Sequence, residues 1–129
     1  MELVAIVIAL ALIEYIVFSA LVGRARAKYK VPAPAMSGDP IFERFNRVHQ
    51  NTLESLITFI PSIVLFAYYI RPDVAAGLGV VFIIGRALYL KGYVKDPKSR
   101  ELGSMLSGLP IVILLLGGLV GAVLSLINQ

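Results

Sequence analysis

At 129 residues the chain is the length of one domain. It is 58% hydrophobic and 16% charged, with a mean hydropathy of +0.84, against about 45–50% apolar and about 25% charged residues in soluble domains. That excludes a disordered chain, a nucleic-acid-binding tail and most soluble enzymes, and the net charge of +4, from 12 basic and 8 acidic residues, has to be read by position. There is no cysteine, hence no disulfide, protein thiolate or cysteine-based metal site. The one histidine, His49, supplies too few ligands for a zinc site within one chain, so no metal is expected.

The apolar residues fall into four runs, at about 3–22, 53–70, 74–90 and 105–127. Each approaches the roughly 20 helical residues that cross a bilayer, which predicts an all-α integral membrane protein, a four-transmembrane-helix bundle formed by residues 1–129 as a single domain. The first run is too long for a signal-peptide core and follows the acidic Met1-Glu2 rather than a basic segment; it reads as a retained helix, interrupted only by Glu14. Between the first two runs, Val31 to Pro40 is a Pro/Gly-rich connector. From about Ile41 the sequence becomes helix-compatible, so the second helix should project beyond the hydrocarbon. Pro61 and Pro110 lie within or near the start of spans, where membrane helices tolerate proline. Gly77, Gly79, Gly117, Gly118 and Gly121 read as close-packing positions between helices.

Two connections are basic. Arg24 to Arg47 carries Arg24, Arg26, Lys28, Lys30, Arg44 and Arg47 against Asp39 and Glu43. Lys91 to Glu101 carries Lys91, Lys95, Lys98 and Arg100 against Asp96 and Glu101. The positive-inside rule places both in the cytoplasm, with the termini and the Arg71–Asp73 connection on the other side, and four spans satisfy this without conflict. The absence of targeting signals and of a long C-terminal extension favours a bacterial inner membrane over an internal eukaryotic one.

The remaining polar residues share faces. On a helix Arg47, Asn51 and Glu54 fall at i, i+4 and i+7, with Arg44 and Gln50 beside them and His49 pointing away. Such a stripe can grip a zwitterionic ligand, the guanidinium taking a carboxylate and the carboxylate an ammonium; equally, it can be an ion-pair ladder that stabilises a helix end. On the third helix Arg86, Tyr89 and Tyr93 share a face, and Arg100 stays near it if helix resumes after Pro97. Interfacial tyrosines also serve as membrane anchors. Arg86 lies well inside a span and requires a partner, for which Glu54 and Glu14 are the available carboxylates. Glu14, in mid-span, reads either as a proton-coupling or ligand-contacting group, or as half of a buried salt bridge or a protonated, hydrogen-bonded carboxyl.

The segment Phe42-Glu-Arg-Phe-Asn-Arg-Val-His-Gln-Asn-Thr-Leu-Glu54 resembles the signature of the MAPEG superfamily, membrane-associated proteins in eicosanoid and glutathione metabolism. The family core Arg-x-x-x-Asn-x-x-Glu appears as Arg47, Asn51 and Glu54, and its Arg-x-x-Tyr-x-x-Gly-Tyr pattern as Arg86, Tyr89, Gly92 and Tyr93. Lys28-Tyr-Lys-Val31 and the Pro/Gly connector also fit. The likeness is strongest to the microsomal glutathione transferase and leukotriene synthase branch.

The resemblance implies a homotrimer of four-helix subunits, with glutathione bound at the subunit interface near the cytosolic face. It implies glutathione contacts at Arg26, Arg47, Asn51, Glu54, Tyr89 and Tyr93, with Gln50 and His49 weaker matches and Arg86 included from the third-helix pattern. Arg100 matches the arginine that activates the thiol and is the expected catalytic residue. The implied activity is a glutathione transferase, with possible peroxidase activity, acting on lipophilic electrophiles or lipid hydroperoxides that arrive through the membrane lipid. Nucleic acid is not an expected partner. Two positions depart from the leukotriene synthase pattern. Ala27 replaces a second arginine, which weighs against leukotriene synthesis, and Ser55 replaces a tyrosine. Two other readings remain: a non-catalytic relative that binds lipid or protein, and a small four-helix multidrug transporter. Long charged connections disfavour the transporter.

Overall fold

A computed structural model describes residues 1–129 as four long helices: α1 (Glu2–Lys28), α2 (Pro40–Tyr69), α3 (Pro72–Lys95) and α4 (Glu101–Ile127), with a 3-10 turn at Pro97–Arg100. All four are long and apolar enough to cross a membrane. Each extends beyond the corresponding apolar run. At about 1.5 Å per residue, the 30 residues of α2 reach about 45 Å, well past a hydrocarbon core of about 30 Å. The polar first turns of α2 therefore stand outside that core, as the sequence suggests.

The start of α2 is fixed locally. Pro40 occupies the first turn, where its missing N–H is harmless. Asp39 caps the helix, its Oδ1 accepting from the Ile41 and Phe42 amides at 2.9 and 3.0 Å. The connector ahead of it is pinned by Arg26, which donates to the Ala35 carbonyl at 2.8 Å and lies 4.7 Å above the Phe42 ring. Pro61 and Pro110 both lie within continuous helices.

On α1 the buried residues Val4, Val7, Ala11, Phe18, Val22 and Ala25 form one stripe. Its helical period places Glu14 in the gap between Ala11 and Phe18. The main core joins Val4, Val7 and Ala11 to Leu56, Phe59, Ile63 and Phe66 of α2, Ala75, Ala76 and Phe82 of α3, and Leu114 of α4. Phe59 and Phe82 stack at 4.0 Å. A smaller cluster of Phe18, Val48 and Tyr89 closes the bundle at the end carrying the basic connections. The outward faces of α1 and α4 are almost wholly aliphatic, including Leu10, Ile13, Ile16, Leu109, Leu116 and Leu119, which suits lipid or a neighbouring subunit.

Four of the five expected packing glycines meet a partner helix: Gly79 lies against Val7 and Ile63, Gly117 against Phe66, Gly118 against Leu65 and Gly121 against Tyr69. Gly77 does not, since a Cβ there would face open space. That position is corrected from close-packing to outward-facing.

Candidate active site

The first turns of α2, the last turns of α3 and the start of α4 enclose a cleft of about 710 Å³, within the range of small-molecule sites. Arg47, Gln50 and Asn51 line it from α2, Tyr89 and Tyr93 from α3, and Arg100 from the 3-10 turn. Six of the nine residues expected to bind or activate the ligand therefore meet in one place.

Arg86 organises this site from below. It is 2% exposed and uses all three guanidinium nitrogens. Nε donates to Thr52 Oγ1 at 3.2 Å, NH1 to Ser107 Oγ at 3.3 Å, and NH2 to Asn51 Oδ1 and Thr52 Oγ1, both at 2.9 Å. The Thr52 and Ser107 hydroxyls in turn donate hydrogen bonds to the Val48 and Gly103 carbonyls. One side chain thus ties α3 to α2 and α4 and holds the Asn51 oxygen, which leaves the amide N–H groups of Asn51 for the cleft. The guanidinium also sits 4.5 Å from the Tyr89 ring centroid, and Tyr89 stacks on Tyr93 at 5.6 Å.

Two expectations about Arg86 are corrected. It does not line the cleft, because it is buried and committed to Asn51, Thr52 and Ser107. Nor is it in direct ion-pair contact with Glu54 or Glu14: the direct ion pairs in the chain are Met1 with Glu2 and Arg71 with Asp73. Its contacts are neutral hydroxyl and amide oxygens, which spacing along the sequence cannot reveal because Ser107 lies on another helix.

Arg26 and Glu54 also lie off the cleft. Arg26 is engaged with the connector and Phe42. Glu54 is exposed on α2 with no partner in the chain. His49 turns away, as expected, and stacks on Tyr15 of α1 at 4.5 Å.

Arg100 reaches the site by a different route from the one periodicity suggests. Helix α3 ends at Lys95, Asp96 caps the 3-10 turn by accepting from the Lys98 amide at 3.1 Å, and Arg100 becomes the residue before α4. The turn folds directly over Gly92, where a Cβ would collide with the Ser99 carbonyl oxygen. The glycine between Tyr89 and Tyr93 is therefore required by close approach, and the tight turn returns Arg100 to the cleft that Tyr93 lines.

Asn46 and Ser104 line the cleft as well, and neither is among the residues expected from the sequence. Widening the stripe to Glu43, Asn46, Arg47, Gln50 and Asn51 would find Asn46. Nothing local would find Ser104, because its place depends on the chain reversal. The cleft carries the guanidinium groups of Arg44, Arg47 and Arg100 against the single carboxylate of Glu43. Arg44 donates to the Val94 carbonyl at 3.0 Å, tying α2 to α3. Arg47 and Arg100 are exposed and make no hydrogen bond or ion pair within the chain. Two free guanidiniums, an oriented amide and paired tyrosines have the chemistry to hold an anionic polar molecule.

The sequence profile of the MAPEG family matches residues 4–120. The chain belongs to the MAPEG family. Among its MAPEG relatives, an uncharacterized protein of Synechocystis sp., sll1147, is 46% identical over 125 residues, covering 97% of this chain and 88% of the relative. Human microsomal glutathione S-transferase 2 is 43% identical over 103 residues, covering 79% and 70%. Leukotriene C4 synthase of Cavia porcellus is 32% identical over 83 residues, covering 64% and 55%. MAPEG membership and four long apolar helices make this a multi-pass integral membrane protein.

Proposed function

We propose that the protein is a membrane-bound glutathione transferase. The observation that carries the reading is the pair of unpartnered guanidiniums, Arg47 and Arg100, at a polar cleft opening beside an apolar helix bundle. Kinship with microsomal glutathione S-transferase 2 supports the choice of thiol. Glutathione carries two carboxylates, one ammonium and a thiol, so its net negative charge suits a cleft with more arginines than acids. Arg47 and Gln50 bind a carboxylate end, the Asn51 amide fixes the backbone, and Tyr89 and Tyr93 form the wall.

Arg100 acts on sulfur. A free thiol has a pKa of about 8.5 and reacts as the thiolate. A guanidinium beside it favours the anion, and the proton leaves to solvent. The thiolate then attacks an electrophilic carbon, forming a C–S bond as the leaving group departs. With a lipid hydroperoxide it takes the distal oxygen, releasing the alcohol, and a second glutathione converts the sulfenic acid to disulfide and water. The lipophilic partner enters from the bilayer along the aliphatic helix faces.

Arg26 and Glu54 complete this reading at a subunit boundary. In a homotrimer the exposed Glu54, one turn beyond Asn51, is free to meet the ligand's ammonium, and Arg26 approaches from an adjacent subunit. The basic connections, and with them the cleft, face the cytoplasm.

The test uses protein purified in detergent, mixed with glutathione and either 1-chloro-2,4-dinitrobenzene or a lipid hydroperoxide. Saturable consumption of either substrate is expected. No glutathione binding and no turnover with either substrate would overturn the reading.

A further inference from the structure

The charge of Arg86 is not balanced by anything it touches. Its four hydrogen bonds end on two hydroxyls and one amide, all neutral. Neutral dipoles solvate a guanidinium without cancelling its charge, and a bare cation within a membrane bundle is costly. One carboxylate is placed to balance it. Glu14 occupies the core-facing position between Ala11 and Phe18 on α1, and Phe18 belongs to the same cluster as Tyr89, whose ring lies against Arg86. Its Oε1 is buried and has no hydrogen-bond partner in the chain. Glu14 and Arg86 lie within electrostatic reach of one another without direct contact. In a low-dielectric interior such a pair is screened little by salt or water.

We propose that Glu14 is the counter-charge of Arg86, and that through Arg86 it positions the Asn51 amide in the ligand cleft. Attraction toward Glu14 holds the guanidinium in the orientation that gives NH2 to Asn51. Without it, Arg86 is free to turn toward the cleft, where anionic ligand or water can solvate it, and the Asn51 oxygen loses its donor. Glu14 is thus a positioning residue, remote from the cleft and acting by way of a second side chain. The part concerning ligand rests on the glutathione reading; the charge pairing does not.

The test has two arms. The first reads thermal stability of the detergent-solubilised protein without substrate, for Glu14→Gln, Arg86→Gln and the double variant. Each single change should lower the midpoint by about 4 °C or more, and the double variant should lose clearly less than the two losses added together. Additive losses, or no loss with Glu14→Gln, would overturn the pairing. The second arm reads the KM for glutathione. Glu14→Gln should raise it about 5- to 10-fold with kcat changed less than about 2-fold, and should add almost nothing in an Asn51→Ala background. An equal rise in both backgrounds, or an unchanged KM, would overturn the positioning role. If the wild type shows no glutathione turnover, the functional reading fails and the first arm still decides the pairing.

Discussion

Gly92 faces the Ser99 carbonyl so closely that a single added carbon would collide with its oxygen. The last turn of α3 and the 3-10 turn are therefore in backbone contact, and Arg100 reaches the cleft because no side chain separates them. Gly92→Ala should push the turn outward and move Arg100 out of the cleft. The expected result is a fall in kcat of about 10-fold or more, following the steep distance dependence of positioning. Gly108 has open space where a Cβ would go, so Gly108→Ala should leave kcat unchanged. Steady-state kinetics of both variants make the check.

Arg100→Ala should lower kcat much more than it raises KM if, as proposed, the guanidinium acts on the thiolate rather than on glutathione as a whole. The sign with pH follows. On the proposed mechanism Arg100 depresses the bound thiol's pKa below about 8.5, so the wild-type rate should be retained as pH falls from about 8.5 and be lost only below the depressed value. Without Arg100 the rate profile should shift toward higher pH. The deficit should be largest near neutrality and shrink above about pH 9. A pH–kcat profile of both proteins tests this, and a constant deficit at every pH would contradict it.

Arg47 is exposed, lines the cleft and makes no intramolecular hydrogen bond. Its removal should cost little stability and much affinity. Arg47→Ala is expected to raise the KM for glutathione about 10- to 100-fold, as fits losing a charge-assisted pair of roughly 1.5–3 kcal/mol. Arg47→Lys should recover only part of it, since a point charge cannot reproduce the bidentate fork. The midpoint of thermal unfolding should stay within a degree or two of wild type.

Gly103 at the start of α4 lies against the backbone of Tyr89, where an added carbon would collide with the Tyr89 nitrogen. Gly103→Ala should therefore separate α3 from α4 at the level of the Arg86–Ser107 hydrogen bond. The expected loss is about 1–3 kcal/mol of stability, seen in thermal unfolding, together with weaker glutathione binding because Tyr89 is a wall of the cleft.

Much of this architecture is legible in the sequence because hydropathy and helical period are local properties. The four apolar runs correspond to four helices, and of the stripe Arg47, Asn51 and Glu54 the first two face one cleft with the neighbouring Gln50, while Glu54 does not. Asp39-Pro40 marks the start of α2 through ordinary capping chemistry. What the sequence hides depends on contacts between helices. Arg86 looks like a ligand arginine in contact with a carboxylate, but its hydrogen bonds go instead to Ser107, 21 residues away on α4, and to Thr52 on α2. Periodicity alone puts Arg100 on an extension of α3, because it continues through a sequence without registering a chain reversal. Arg26 and Glu54 lie off the cleft in a single chain, and only the proposed homotrimer would give them a place beside the ligand.

The most direct test of the central claim is the ultraviolet absorbance of glutathione thiolate on adding glutathione to the purified protein near neutral pH, with wild type and Arg100→Ala compared. Wild type should show saturable thiolate absorbance, and Arg100→Ala should bind glutathione with that signal largely absent. Binding without thiolate in the wild type, or equal thiolate in both proteins, would contradict activation of the thiol by Arg100.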